Sequence, residues 1–348
     1  MKKVCFLFVV FILFSCSKEE IGPQCKNCVG NPIIPNSDKK ILIVNEGNFG
    51  FGNASLSVYN PTTKELTNSV FQQANNFPLG DVAQSATLIN NTIYVVVNNS
   101  SKIEVINKTN FTSIATLTGL ISPRYILQIN NTKAYVSNLF SNQIQLINLS
   151  NNTIIGSIST PSNWTEEMLL FNDTAYICDV SNNQILLINT NSDAVITSVS
   201  TGEQPLSLVK DKNNKLWILC DGGINSSLPQ LIKFNPQTRQ TEQVFTFNSI
   251  NESPSEIEID SAGEHIYFIN NHIYKMNIND AQLPATSWVS NNNHIFYGLK
   301  IDQTTNDIYV SDAKDFVQNS TVFRYSQNGQ LLHQFNAGIN SGAFLVVE

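Results

Sequence analysis

Basic residues are scarce in this chain: among 348 residues Lys and Arg number 20, against 27 Asp and Glu, giving a net charge of −7. Phosphate backbones are held by clustered Lys and Arg, so the balance argues against nucleic acid as a partner. Charge of either sign is thin, at 14% of residues. Long apolar runs are missing too. The run Val4 to Phe14 falls short of the roughly 20 residues a membrane-spanning helix needs. Histidine is rare: His265, His272, His294 and His333 share no spacing that defines a metal site. No nucleophile elbow and no Ser/His/Asp order is present. Gly47, Gly50 and Gly52 are followed by neither Lys-Ser/Thr nor a helix, so they are not a phosphate loop. The expectation is a non-enzyme without a cofactor. A helical period of useful length is also missing, which leaves strands.

At the N-terminus, Lys2 and Lys3 precede the short apolar run, the pattern of an export signal. Leu13-Phe14-Ser15-Cys16 resembles the bacterial lipobox, which implies lipidation at Cys16. Ser17-Lys18-Glu19-Glu20 then looks like the charged tag of outer-leaflet lipoproteins. Residues 1–15 are therefore expected to be a signal peptide and residues 16–39 a lipidated tether. Its Cys25 and Cys28 are spaced as a small disulfide or a zinc half-site, without a second pair to complete one. Cys178 and Cys220 fall inside apolar runs and read as buried free thiols. The implied location is the outer membrane, lipid-anchored and facing outward.

From residue 40 onward the chain repeats. "NTIYVVVNNSSKIEVINKTN", "NTKAYVSNLFSNQIQLINLSN" and "DTAYICDVSNNQILLINTNS" share an aromatic-led apolar run, a polar turn, and an alternating run ending in Ile-Asn. The markers Tyr94, Tyr135, Tyr176, Trp217, Tyr267 and Tyr309 recur every 41 or 42 residues, with one interval of 50. Periods of about 40–45 with four short strands indicate propeller blades. First-strand candidates are Gln84–Ile89, Tyr125–Ile129, Met168–Phe171, Leu206–Val209, Glu256–Ile259, Gly298–Ile301 and Ala343–Val347. The first unit begins at a second strand, Ile41–Val44, so the C-terminal strand should complete it. The expected fold is an all-β, seven-bladed propeller of four-stranded antiparallel blades over residues 40–348, closed by that strand.

In such a ring the connections from second to third strand, and from fourth to next first, gather on one face. Ligand clefts form there. Blade one carries the longest aromatic connection, "NEGNFGFGNAS", whose Phe49 and Phe51 are either packed under the loop or offered to a ligand. Phe316 falls in the neighbouring long loop of blade seven. The expected ligand-binding set is Asn45, Glu46, Phe49, Phe51, Phe77, Asp81, Arg124, Tyr125, Trp164, Glu166, Phe296, Tyr297 and Phe316. Aromatics beside a few charges suit a bulky, partly apolar ligand. Second strands end in Asn45, Asn98, Asn138, Asp179, Asp221, Asn270 and Asp312. That ring either offers oxygens to calcium or serves turn chemistry.

Tyr-Val in second strands and Ile-Asn ending third strands resemble the YVTN-type, YncE-like seven-bladed propellers. "NEGNFGFGNASLSVYN", "NNFPLGDVAQS" and "YVVVNNSSKIEVIN" look like a group of Bacteroidetes lipoprotein propellers called surface layer proteins or domains of unknown function. Relatives in that wider group capture cobalamin for a TonB-dependent transporter. The resemblance implies a non-catalytic capture lipoprotein, with a corrinoid as ligand and such a transporter as partner. The alternatives are a protein-docking or adhesive module, and a metal-dependent hydrolase or lactonase-like enzyme.

Overall fold

Short runs dense in Val, Ile and Tyr favour pleated strands, and the Asn, Asp and Ser between them supply turns that bond to their own backbone. Thus Asn107, Asn148, Asn189 and Asn235 each accept a backbone N–H two residues on, closing the turn from third to fourth strand. The computed structural model describes residues 39–348, which form seven antiparallel blades around one axis. The signal, Cys16, and the Cys25 and Cys28 pair lie outside the described residues. Among those described, no helix is long and apolar enough to cross a membrane.

Blades two to five and seven have four strands each, beginning with the inner strands Ala83–Ile89, Pro123–Gln128, Thr165–Phe171, Pro205–Lys210 and Phe296–Ile301. Blade one takes its inner strand, Ser341–Val347, from the C-terminus. It pairs with Lys40–Asn45, and Ser55–Tyr59 and Leu66–Thr67 complete the sheet. The expected ring closure is therefore present. It is pinned where the ends meet: Lys39 Nζ lies 2.6 Å from Asp302 and 3.1 Å from Glu348. Blade six departs from the four-stranded expectation. It has Ser255–Ile259, His265–Asn270 and His272–Asn277, and its fourth strand shrinks to one bridge between Ile273 and Val289. Pro284, which lacks an N–H to donate, falls where that strand would run.

Seven apolar clusters fill the ring, one at each junction of neighbouring blades. The recurring aromatics explain themselves here. Tyr94, Tyr135 and Tyr176 are buried, and each reaches into the next blade's turn between third and fourth strands. Tyr94 donates to Asn152 at 2.6 Å, Tyr176 to the Pro236 carbonyl at 3.3 Å, and Tyr135 to Asp193. Trp217 keeps the position but bonds inside its own blade, to Asp211 at 3.0 Å. Cys178 and Cys220 are free and buried in one junction, as expected. One short helix, Val70–Asn75, was not legible in the sequence. Six residues are too few to show a period. It forms where blade one's outer strand stops early, and it buries Val70 and Phe71 beside Leu56 and Leu79.

Candidate functional site

Every inner strand carries one irregularity near its upper end, the end next to the second-to-third loops. The pairing with the second strand slips by one residue, so the inner strand has an extra residue. This occurs between Ala83 and Ser85, Pro123 and Ile126, Thr165 and Met168, Pro205 and Ser207, Ser255 and Glu258, Phe296 and Leu299, and opposite Val44 and Asn45. A bulge breaks the in-out alternation and re-aims side chains. The residues so turned, among them Gln84, Arg124, Tyr125, Glu166, Glu167, Glu256 and Tyr297, line a cavity of about 620 Å³ on the axis. Side-chain hydroxyls accept the backbone N–H groups freed at two bulges: Ser137 from Tyr125 at 3.1 Å and Ser311 from Gly298 at 2.9 Å. The lining runs from the loop residues Glu46, Trp164, Gln204 and Asp221 down to Thr87, Leu127, Glu258 and Lys300 at mid-strand, so the cavity opens on the upper face.

The lining contains six carboxyls (Glu46, Glu166, Glu167, Asp221, Glu256, Glu258) and two cations. Both cations are spoken for. Arg124 Nε lies 2.8 and 2.9 Å from the two oxygens of Glu166, and its other arm reaches Gln84. Trp164 Nε1 donates to the same Glu166 at 2.5 Å. Lys300 Nζ sits 2.6 Å from Glu258. That leaves three glutamates without a cation at hydrogen-bond distance. Glu46 accepts the Tyr297 hydroxyl at 2.9 and 3.0 Å, and burial lifts its pKa from 4.5 to about 7. Glu167 accepts the Leu208 N–H at 3.1 Å, and burial lifts it to about 8. Glu256 is pushed well up by burial and then by Glu167 and Glu258 beside it. Its backbone is left-handed, at φ 53° within the bulge, a costly conformation for a residue other than glycine. A Cβ at Gly342 would lie 2.2 Å from the Glu46 carboxylate, which would have to move to admit it.

Of the residues expected to bind ligand, Glu46, Arg124, Tyr125, Trp164, Glu166 and Tyr297 meet in this cavity. The others do not line it. Asn45 is buried and bonds Ser57, Ser341 and the Gly338 N–H, tying blade one together. Phe296 is buried against Phe323 in the junction of blades six and seven, because it precedes the bulge that would turn it inward. Asp81 accepts Gly50 N–H at 2.9 Å and Asn99 Nδ2 at 2.6 Å, holding the blade-one loop to blade two. Phe77 packs edge-on to Phe71 and Phe316 to Tyr297, each still half exposed. Phe49 and Phe51 are 76% and 77% exposed, so they are offered to solvent and not packed under their loop. Hydrogen bonds shape that loop, including Asn48 Nδ2 to the Phe316 carbonyl at 2.7 Å. Gly47, at φ 77°, is wedged against Asn53 and Ala54 where a Cβ would collide.

Most of the Asn and Asp at second-strand ends make hydrogen bonds within their blade or to the next one, though Asn138 Oδ1 is buried without a partner. Asn98 donates to the Pro123 carbonyl, Asp179 accepts from Asn182 and Gln184, and Asp312 accepts the Ile295 and Lys314 N–H groups. Among the described residues no three His, Cys, Asp or Glu side chains are arranged to hold a metal ion. The four histidines lie apart; His294, for example, pairs with Asp312 at 2.7 Å. The sequence reading passed over Gln84, Glu167, Glu256, Glu258 and Lys300. The sequence marks only that the inner strand Ser255–Ile259, half-buried in the fold, carries two glutamates; it does not mark where they point.

A propeller with a polar axial cavity defines the class of protein. Within it, residues 39–342 match the family described as domain of unknown function DUF5074, and the chain belongs to that family. No curated protein matches it. The fold is similar to that of a quinonprotein alcohol dehydrogenase-like protein from Bacteroides thetaiotaomicron, at 13% identity and TM-score 0.70, covering 89% of this chain and 78% of that one. A functionally unknown protein from Desulfotomaculum acetoxidans aligns at 13% identity and TM-score 0.66, covering 89% and 99%. A Kuenenia stuttgartiensis hydrazine synthase chain aligns at 11% identity and TM-score 0.60, covering 75% and 88%. At these identities the likeness concerns the fold alone.

Proposed function

We propose that this chain is a non-catalytic capture protein that holds a small polar ligand in its axial cavity. One observation carries the reading: all seven inner strands break their pairing at the same level, and the side chains this releases converge on one 620 Å³ space. Bulges that recur beside a cavity serve a ligand better than they serve the sheet. The chain enters the ring at Lys39, beside Glu348 and away from the cavity mouth. A lipid anchor upstream at Cys16 would therefore be joined to the opposite face. On this reading the protein stands on the outer membrane and passes its ligand to a transporter there.

A second reading keeps the corrinoid. The exposure of Phe49 and Phe51 favours it, since two bare rings beside the mouth suit a large, flat ligand on the rim. Thermal unfolding with small polar metabolites and with cyanocobalamin separates the two. Stabilisation lost in Trp164→Ala and kept in Phe49→Ala/Phe51→Ala supports the cavity. Stabilisation by cyanocobalamin that only the phenylalanine variant loses supports the rim. Chemical conversion of the bound compound would overturn the non-catalytic assignment.

A further inference from the structure

The cavity is unbalanced in a way that specifies its ligand. Arg124 and Lys300 are each ion-paired, with Glu166 and Glu258, so no cation in the lining is left without a carboxylate beside it. The charges left without an opposite charge at hydrogen-bond distance are all acidic. Among the described residues, none donates a hydrogen bond to the Glu256 carboxyl and none bonds the Tyr125 hydroxyl. Glu167 accepts a single N–H and Glu46 a single hydroxyl, although a carboxylate offers about four acceptor sites. Glu256 also holds its left-handed backbone at this spot, as residues that clamp ligands do. Trp164, Tyr125 and Tyr297 add aromatic rings to the same lining, and ring faces attract cations.

We infer that the ligand is a small organic cation bearing two or more ammonium or guanidinium groups, held by Glu46, Glu167 and Glu256. The inference rests on the capture reading above. Asp221, which accepts the Gly223 N–H at 2.8 Å, adds a fourth carboxyl at the mouth. Burial lifts Glu46 to about 7 and Glu167 to about 8 and pushes Glu256 up as well, so below those values Glu46 and Glu167 hold protons. A bound cation replaces those protons. Each proton released makes affinity rise about tenfold per pH unit until the acid is ionised.

Isothermal titration of the full chain in detergent with spermidine, and with the neutral sugar maltose, tests this at pH 6 and pH 8. The expected result is spermidine binding at least tenfold tighter at pH 8, with proton release read from buffers of different ionisation enthalpy. Glu167→Gln and Glu256→Gln should each weaken it at least tenfold while thermal unfolding shows both variants folded. Maltose binding without spermidine binding overturns the cation assignment and leaves the capture reading standing. Binding of neither compound overturns the assignment, and loss of capture of every compound in the thermal panel overturns the reading beneath it. Spermidine binding that both variants retain marks general attraction to an acidic surface, and also overturns the assignment.

Discussion

Single residues decide the electrostatics of this propeller. The fold binds protons to Glu46 and Glu167 more tightly than the unfolded chain does, since their pKa values rise from 4.5 to about 7 and about 8. Their contribution to stability is complete below pH 4.5 and is lost as pH rises through 7 and 8. Glu348 works the other way: the Thr304 hydroxyl and Lys39 hold it low, so its contribution fades in acid. Without ligand, the unfolding temperature should peak in mild acid and fall steadily toward pH 9. The loss for Glu46 is on the order of 3 kcal/mol. Glu167→Gln should flatten the alkaline limb; a limb as steep as in the parent protein would refute the account. Phe49 and Phe51 belong to the other extreme. Bare to solvent, they should be replaceable by Ser within about 0.5 kcal/mol in denaturant unfolding.

Strands and their bulges decide where those residues point. A regular inner strand would send alternate side chains into the two blade junctions; the extra residue turns the acids and Arg124 to the axis instead. Gly342 completes the arrangement by leaving room for Glu46. Gly342→Ala should displace that carboxylate and weaken ligand binding, while the ring stays closed by circular dichroism. The second strands carry the other recurring device, the aromatic hydroxyl that reaches the neighbouring blade. Tyr94→Phe removes the bond to Asn152 and should cost about 1 kcal/mol in urea unfolding. No measurable loss would mean that the ring, and not its hydroxyl, is what this position contributes.

The whole molecule depends on closure. Blade one has no inner strand until Ser341–Val347 returns to it, and that strand also borders the inner strands of blades two and seven. Deleting residues 341–348 should open the sheet edge of Lys40–Asn45 and the junctions on either side. The expected outcome is aggregation on size-exclusion chromatography. A soluble, cooperatively unfolding truncation would show that six blades hold without the seventh closed.

Much of this was legible in the chain of residues. The interval between Tyr94, Tyr135 and Tyr176 announced the blades, and Ala343–Val347 announced the closure, because both follow from periodicity and from the need to pair strand edges. Six of the cavity residues could be named, since loop position around an axis is a matter of connectivity. The bulges could not. A one-residue slip leaves no compositional mark, so Thr165 to Glu167 looked like loop and Glu256 like an ordinary strand residue. Nor could burial of Phe296 or exposure of Phe49 be told apart in a list of aromatics. The amino-acid sequence by itself determined seven blades and their order, because repetition and alternation are written in one dimension. Only the tertiary structure decided that Arg124 and Lys300 are already paired while Glu46, Glu167 and Glu256 face a shared space, because that balance exists only once seven distant strands meet.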